Sequence, residues 1–163
     1  MRIGIIGGGV WGSALAKLLS HNQVTIFARD SKVVTSVNDH HFNPKLKYAV
    51  FNANVSASLD LTLLKDVDCI FIALPSQSIR NVLSTFQLEY NNKEIIIASK
   101  GIEIESGLLL SDVVKECTKS NKISILSGPC FSSEVAQNLP TAVTFASSNK
   151  NSFENINNLF KNK

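Results

Sequence analysis

The sequence predicts an α/β fold, in which a doubly wound and mainly parallel sheet is flanked by helices in a single domain. Two observations support this prediction. Short apolar runs rich in β-branched residues recur along the chain, and most are separated by stretches long enough for a helix, which is the pattern of repeated βαβ units. The chain has 163 residues, 44% of them hydrophobic and 18% charged, which suits one globular domain with a sizeable core. We therefore expect one domain over residues 1–163.

Six segments are predicted to be strands because they are short and apolar. Their hydrophobicity is almost continuous, which indicates burial on both faces of the sheet. These segments are residues 2–6, 23–28, 69–74, 94–98, 123–126 and 142–146.

Four further segments place apolar residues at helical spacing. They are residues 11–20, 31–40, 76–86 and 107–117. Ser76 is the predicted N-cap of the third helix. A last amphipathic helix is expected to begin at residues 151–154, because their sequence Asn-Ser-Phe-Glu is similar to a capping box. Residues 42–54 contain Pro44 and several asparagines, and we predict an irregular excursion over the edge of the sheet.

Charge and cysteine usage argue against several classes of protein. The net charge of +3 comes from 16 basic and 13 acidic residues scattered along the chain. The sequence has no block of like charge, and a nucleic-acid partner is therefore not expected. Cys69, Cys117 and Cys130 are an odd number at wide spacings, which argues against a disulfide framework and a zinc site and favours a reducing cytosol. The apolar N-terminal stretch is too short for a signal peptide or a membrane span. The sequence thus predicts a cytoplasmic protein without a metal or a membrane span.

A glycine-rich loop follows the first predicted strand. Gly7, Gly9 and Gly12 have G-x-G-x-x-G spacing and precede a predicted helix, which is the context that this motif requires. The first glycine permits a tight turn, the second lets the backbone approach a pyrophosphate, and the third lets helix and strand pack closely. N–H groups of the first helical turn would face the phosphate. The motif predicts a Rossmann-type nucleotide-binding domain and disfavours the alternative, a glycine-rich turn without a ligand.

The end of the second predicted strand bears on the choice between NAD and NADP. An acidic residue there would bind the adenosine ribose 2′-OH of NAD, whereas a basic residue would favour the 2′-phosphate of NADP. Arg29 arrives about twenty residues after the glycines, and its planar guanidinium suits a phosphate. We therefore favour NADP over NAD. Asp30 keeps NAD open, because a strand that ends one residue later would present the carboxylate, and Arg29 as a solvated surface residue is a third alternative.

Residues after the later strands should lie at the same edge of the sheet, where open α/β sheets bind ligands. Together with the glycine loop they resemble the NAD(P)-dependent glycerol-3-phosphate dehydrogenases, across nearly the whole chain. The motifs that carry the resemblance are the Gly-x-Gly-x-Trp-Gly loop with Trp11, the turn Ser99-Lys100-Gly101, and the run Leu126-Ser127-Gly128-Pro129 followed by Phe131, residues 134–136 (Glu-Val-Ala) and residues 139–143 (Leu-Pro-Thr-Ala-Val).

The resemblance implies hydride transfer between glycerol 3-phosphate and dihydroxyacetone phosphate, with NAD or NADP as cofactor, in the supply of glycerophospholipid synthesis. It also implies roles for individual residues. The cofactor would contact Gly7, Gly9, Val10, Trp11, Gly12, Arg29, Lys100 and Ser132. The phosphorylated substrate would contact Lys100, Gly128 and Cys130. A lysine ammonium can neutralise a phosphate or polarise the ketone that receives the hydride.

The sequence has two local differences from the family. The family usually has serine at Cys130 and alanine at Ser132, so that a thiol, a weaker hydrogen-bond donor, replaces a hydroxyl. Residues 42–54 lack the family's usual Tyr-Leu-Pro-Gly turn, of which Asn43 and Tyr48 would be remnants. Neither Asn43 nor Tyr48 is assigned a role.

The family continues into a helical domain whose lysine exchanges a proton with the substrate, so no catalytic acid or base is expected in this chain. The expected partner is a separate C-terminal half or a second copy of the chain, because the last helix and one sheet face would expose apolar surface. Two alternatives stay open. One is a non-catalytic module or a truncated remnant that binds NAD(P) without turnover. The other is a relative of 6-phosphogluconate dehydrogenase or ketopantoate reductase, against which the run Ser127-Gly128-Pro129 argues.

Overall fold

A computed structural model of the chain describes residues 1–85, 90 and 93–160. The strands of these residues are β1 (Arg2–Ile6), β2 (Gln23–Phe27), β3 (Phe42–Asn43), β4 (Leu46–Val50), β5 (Val55–Ser58), β6 (Cys69–Ile72), β7 (Glu94–Ile97), β8 (Ile123–Ser127) and β9 (Thr144–Ser147). The helices are α1 (Val10–Leu18), α2 (Ser31–His40), α3 (Ile79–Thr85), α4 (Leu110–Thr118), α5 (Ser132–Ala136) and α6 (Lys150–Phe160), with 3₁₀ turns at Leu61–Asp66 and Ser76–Ser78.

Seven strands of the described residues form one sheet in the order β5-β2-β1-β6-β7-β8-β9. All neighbours are parallel except β8 and β9, which pair antiparallel. The prediction of a doubly wound, mainly parallel sheet is therefore confirmed. The chain builds the sheet outwards from β1 to β5 and then returns to the other side of β1 to add β6. This reversal opens a crevice at the carboxyl ends of β1 and β6, where such sheets bind ligands.

Apolar side chains fill both faces of the sheet. On one face Ile5, Leu15 and Phe71 belong to a cluster of fully buried residues. On the other face Ile70 and Val113 belong to a second buried cluster. Every residue of β6 and of β7 is buried, which confirms the predicted burial on both faces for these two strands. The prediction is wrong for β8, which alternates between buried and exposed residues, and for β9, which has no buried residue.

The prediction of an irregular excursion over residues 42–54 is wrong for most of that segment. β3 and β4 pair antiparallel and form a hairpin. Leu46 and Ala49 are buried in the cluster that also contains residues of α1 and α5. The next segment, β5, extends the sheet beyond β2, and its alternating Val55 and Ala57 are buried. Four residues with period-two alternation are a weak signal in a sequence, and no strand was predicted there.

Three predicted helix starts are also wrong. The helix predicted from residue 107 begins at Leu110. Ser76 makes no capping hydrogen bond and lies inside the 3₁₀ turn, so that α3 begins only at Ile79. The predicted end of that helix, Phe86, lies outside the described residues. At the last helix, the side chain of Asn149 accepts a hydrogen bond from the N–H of Ser152 at 3.1 Å. The cap of α6 is therefore Asn149, two residues before the predicted capping box.

The apolar side of α6 is covered, contrary to the expectation that the last helix would be left bare. Ile156 is fully buried, Leu159 is 7% exposed, and the ring of Phe160 meets Phe71 edge-on, with 6.4 Å between centroids. Large exposed apolar side chains occur instead between β8 and β9, at Phe131 and Leu139. In the part of the chain that the structure describes, no helix has the length and apolar character to cross a membrane.

Candidate functional site

A crevice runs along the carboxyl edge of the sheet. It consists of two adjoining cavities of about 440 and 480 Å³. The two cavities share Gly9 and residues 73–75, so that they form one slot over the glycine loop. The first cavity extends towards β2 and is lined by Gly7 and Arg29. The second extends towards β7 and contains most of the remaining residues that the sequence singled out.

The predicted glycines lie where the motif needs them. Gly7 has a φ of +131°, and a Cβ there would lie 2.3 Å from the carbonyl oxygen of Ala73. A Cβ on Gly12 would lie 1.9 Å from the carbonyl oxygen of Gly7, which is why α1 can pack closely on the turn. Around Gly9 no atom lies within 4 Å of an added Cβ. Gly9 thus faces the open crevice, and the first turn of α1 behind it holds no acidic residue that would repel an anion.

The backbone of the glycine loop is held by Asn43, a residue to which no role was assigned from the sequence. Its side chain is fully buried and donates to the carbonyl oxygen of Gly8 at 3.1 Å and to Ser13 Oγ at 2.5 Å. Ser13 Oγ in turn donates to the carbonyl oxygen of Gly9 at 2.8 Å. The β3–β4 hairpin therefore fixes the backbone of the glycine loop. A buried asparagine can be recognised only once the hairpin is known.

Arg29 and Asp30 both line the first cavity, together with Lys45 from the turn between β3 and β4. Arg29 is exposed. The carboxylate of Asp30 accepts from the N–H of Lys32 at 3.1 Å as the N-cap of α2, and it forms an ion pair with Lys45 Nζ at 3.1 Å. The hydrogen bond from Lys45 is the main cause that lowers the pKa of Asp30. Lys45 was missed because nothing in the sequence places the hairpin beside β2.

Val10, Trp11 and Ser132 line the second cavity. Trp11 Nε1 donates to the carbonyl oxygen of Ala98 at 3.0 Å, which ties the first turn of α1 to the end of β7. Val10 is 44% exposed at the mouth of the crevice. Ser132 begins α5 on the opposite wall. The structure thus brings together residues that are far apart in the sequence.

Lys100, Gly128 and Cys130 also come together. Lys100 Nζ donates to the carbonyl oxygen of Gly128 at 3.1 Å, and Cys130 Sγ lies 3.8 Å from the same oxygen. A Cβ on Gly128 would lie 2.8 Å from the carbonyl oxygen of Ala142, so the turn after β8 packs tightly against the segment before β9. Lys100 and Cys130 line the second cavity, where the ammonium group is exposed and can meet an anionic or carbonyl oxygen.

The loop that follows Lys100 is anchored by α3 and the turn before it. Gln77 Nε2 donates to the carbonyl oxygen of Ile102 at 2.8 Å, and Gln77 Oε1 accepts from the N–H of Ile104 at 2.9 Å. Arg80 contacts both carboxylate oxygens of Glu103 at 2.8–3.0 Å. These side chains hold the strand end that carries Lys100, and sequence patterns contained no sign of them.

A larger cavity, about 780 Å³, lies on the other side of Trp11, between α1 and residues 138–143. Neither the glycine loop nor Lys100 lines it, so it is not the candidate site. Within residues 1–85, 90 and 93–160, no three His, Cys, Asp or Glu side chains are grouped so as to hold a metal ion.

Comparison with known proteins identifies the family. The family model described as "NAD-dependent glycerol-3-phosphate dehydrogenase N-terminus" matches residues 2–153. A glycerol-3-phosphate dehydrogenase [NAD(P)+] of Neorickettsia sennetsu is 44% identical over 160 residues, which cover 94% of this chain and 47% of the relative. Another, from Orientia tsutsugamushi, is 38% identical and is matched over 98% of this chain and 50% of its own length. The chain spans about half the length of these relatives.

A solved structure shows the same relationship. The crystal structure of glycerol-3-phosphate dehydrogenase from Coxiella burnetii superimposes with a TM-score of 0.90 at 30% identity, over 99% of this chain and 51% of that one. The glycine loop, the turn with Lys100 and the turn with Gly128, which carried the resemblance in the sequence, all meet in one crevice. The chain therefore belongs to the family of N-terminal domains of NAD-dependent glycerol-3-phosphate dehydrogenases.

Proposed function

We propose that this chain forms the nucleotide-binding part of the active site of an NAD(P)-dependent glycerol-3-phosphate dehydrogenase, which interconverts glycerol 3-phosphate and dihydroxyacetone phosphate. One observation carries the proposal. Lys100 Nζ lies 3.1 Å from the carbonyl oxygen of Gly128, in a cavity that is continuous with the glycine loop. A cation and a phosphate-binding loop thus share one crevice, as the reaction of a phosphorylated ketone with a dinucleotide requires.

The crevice fits a dinucleotide. Gly9 leaves open space where a Cβ would otherwise project. The first N–H groups of a helix have no partner within the helix and are expected to face an anion in this space. These groups would hold the pyrophosphate, with Arg29 on the adenosine side and with Val10, Trp11 and Ser132 on the nicotinamide side. When bound, the reduced nicotinamide supplies a hydride for the ketone carbon of the substrate.

Lys100 has two tasks in this scheme. Its ammonium group attracts the phosphorylated substrate, and it stabilises negative charge that develops on the carbonyl oxygen. The backbone carbonyl of Gly128 aims the ammonium group, while Cys130 lies on the same side of the cavity. Among the described residues that line this cavity, none is Asp, Glu or His. Since Lys100 is engaged in stabilising charge, we assign proton exchange with the substrate oxygen to the lysine of the helical domain that the family resemblance implies.

Dinucleotide binding tests the first part of the proposal. Trp11 is the single tryptophan of the chain and lines the cavity assigned to the nicotinamide, so that bound NADPH or NADH should quench its fluorescence by energy transfer. Oxidised dinucleotides should displace the reduced forms. If neither reduced dinucleotide binds, the proposal is wrong.

Turnover tests the second part. The chain, mixed with the separately expressed C-terminal half of the Neorickettsia sennetsu relative, should oxidise NADPH or NADH when dihydroxyacetone phosphate is added. Lys100→Met should lower kcat/KM by about a hundredfold, the usual effect of removing an electrostatic stabiliser. Lys115→Met, on the exposed side of α4, is the matched control and should leave the rate unchanged. Equal rates for the two variants would contradict the role of Lys100.

A further inference from the structure

The wall of the first cavity carries a second cation, which lies outside the motifs that carried the resemblance in the sequence. Lys45, in the turn between β3 and β4, lines this cavity with Arg29 and Asp30. Its Nζ lies 3.1 Å from Asp30 Oδ2, and the two side chains are 45% and 41% exposed. Ligands that enter the cavity can therefore reach both groups.

Asp30 is the residue that would select NAD if its carboxylate were free to accept the ribose 2′-OH. The structure shows that it is engaged on both oxygens. Oδ1 accepts from the N–H of Lys32, and Oδ2 is paired with Lys45. A hydroxyl donor would have to compete for this carboxylate with an ammonium group, whose hydrogen bond to the carboxylate carries charge on both the donor and the acceptor.

We propose that Lys45 makes the crevice selective for a dinucleotide that carries a 2′-phosphate on its adenosine ribose. Lys45 neutralises Asp30, which would otherwise repel the phosphate, and joins Arg29 as a second cation. The inference rests on the proposed function, since it concerns the adenosine end of the same cofactor.

The position of Lys45 is set by the backbone. Its N–H donates to Asn43 Oδ1 at 2.9 Å, and the side chain of Asn43 donates to the carbonyl oxygen of Gly8. The turn that carries Lys45 is thus attached to the loop that would hold the pyrophosphate. This attachment fixes the backbone of Lys45 relative to the phosphate-binding loop, and the ion pair with Asp30 directs its ammonium group into the cavity.

The local charge balance also favours a phosphate. Arg29, Lys32 and Lys45 supply three positive charges around the single carboxylate of Asp30. Arg29 has no ion pair among the described residues, and its guanidinium can bind two phosphate oxygens at once. A ribose with two free hydroxyls would leave this excess positive charge without a counterion.

The test compares NADPH and NADH binding to the 163-residue chain and its variants by energy transfer from Trp11. Lys45→Ala should weaken NADPH binding about fivefold, in the range of a partly exposed ionic contact, and should leave NADH binding unchanged or tighter because Asp30 is released. Asp30→Asn keeps a good N-cap residue and should tighten NADPH binding. Lys47→Ala removes a lysine from the same hairpin that does not line the cavity, and it should change neither affinity.

Three results would overturn the inference. One is an equal loss of NADPH and NADH affinity in Lys45→Ala, which would show that Lys45 only supports the fold. Another is a preference of the unmodified chain for NADH. The third is equal affinity for both dinucleotides without any effect of Lys45→Ala, in which case only this inference fails. If no dinucleotide binds at all, the proposed function fails. Adenosine 2′,5′-bisphosphate and 5′-AMP both lack nicotinamide and are compared as competitors. The bisphosphate should displace NADPH at a lower concentration than 5′-AMP does, and high salt should abolish this difference in affinity.

Discussion

At the scale of residues, the three glycines of the loop are required for three different physical reasons. Gly7 adopts a φ of +131°, a conformation that costs other residues strain. Gly12 has no room for a side chain, because the backbone of Gly7 lies against it. Gly9 has an ordinary extended conformation and open space around it. Its lack of a Cβ matters for a ligand and not for the fold.

Substitution by alanine should separate these roles. Gly12→Ala should lower the free energy of unfolding by about 3 kcal/mol or more, since overpacking against backbone cannot be relieved by a side-chain rotation. Gly9→Ala should change it by less than about 1 kcal/mol and yet weaken NADPH binding at least about tenfold, or about 1.4 kcal/mol. Urea unfolding and fluorescence titration measure the two effects. A Gly9→Ala variant with full affinity would contradict the phosphate-binding role of this loop.

At the scale of elements, the loop between β7 and α4 is held by an ion pair with one buried partner. The side chain of Glu103 is 8% exposed, and that of Arg80 is 36% exposed. Arg80 also pairs with Glu116 on α4 at 2.8 Å, while Ser106 donates to Glu103. Arg80 thus connects α3 with the loop that follows Lys100 and with α4. Removing one charge would leave the buried carboxylate without its partner.

This ion pair predicts an acid-side loss of stability. The hydrogen bond from Arg80, followed by that from Ser106, lowers the pKa of Glu103. The contribution of the ion pair to the free energy of unfolding is therefore complete above the pKa of Glu103 in the unfolded state, about 4.3. This contribution is lost as the pH falls through the lower pKa of the folded state, because the unfolded state then binds more protons. The free energy of unfolding should therefore decrease as the pH is lowered from neutral to acid. Glu103→Gln should make this decrease smaller.

Glu105 provides the control for this effect. It lies exposed in the same loop, so that Glu105→Gln removes an equal charge without touching Arg80. We expect its pH profile to follow that of the unmodified chain. A profile of Glu103→Gln that is parallel to both would show that the ion pair does not contribute to the pH dependence of stability.

At the scale of the whole molecule, the sheet and half of the crevice could be predicted, because they depend on local patterns. The continuous apolar runs of β6 and β7 are buried on both faces, and the glycine spacing needs only a strand before it and a helix after it. The β3–β4 hairpin could not be predicted. Its buried positions, such as Leu46, depend on packing against α1 and α5, which lie far away in the sequence.

The same limit applies to the candidate site. Arg29 and Lys100 follow strands directly, and the sequence therefore places them at the correct edge of the sheet. Asn43 and Lys45 reach the crevice only because the hairpin folds back over the glycine loop. A side chain whose position depends on such a long-range contact carries no local signal of its role.

The crevice joins both halves of the sheet, so that a bound dinucleotide should stabilise the whole molecule. A ligand that binds only the folded state adds about 2.7 kcal/mol at a concentration one hundred times its Kd. For a domain of this size, each kcal/mol raises Tm by about 2–4 °C, and NADPH at that concentration should therefore raise Tm by roughly 5–10 °C. Gly9→Ala at the same NADPH concentration should show a clearly smaller shift. An unchanged Tm of the unmodified chain, at a concentration that saturates the fluorescence titration, would mean that NADPH binds the unfolded chain equally well and that the crevice is not its site.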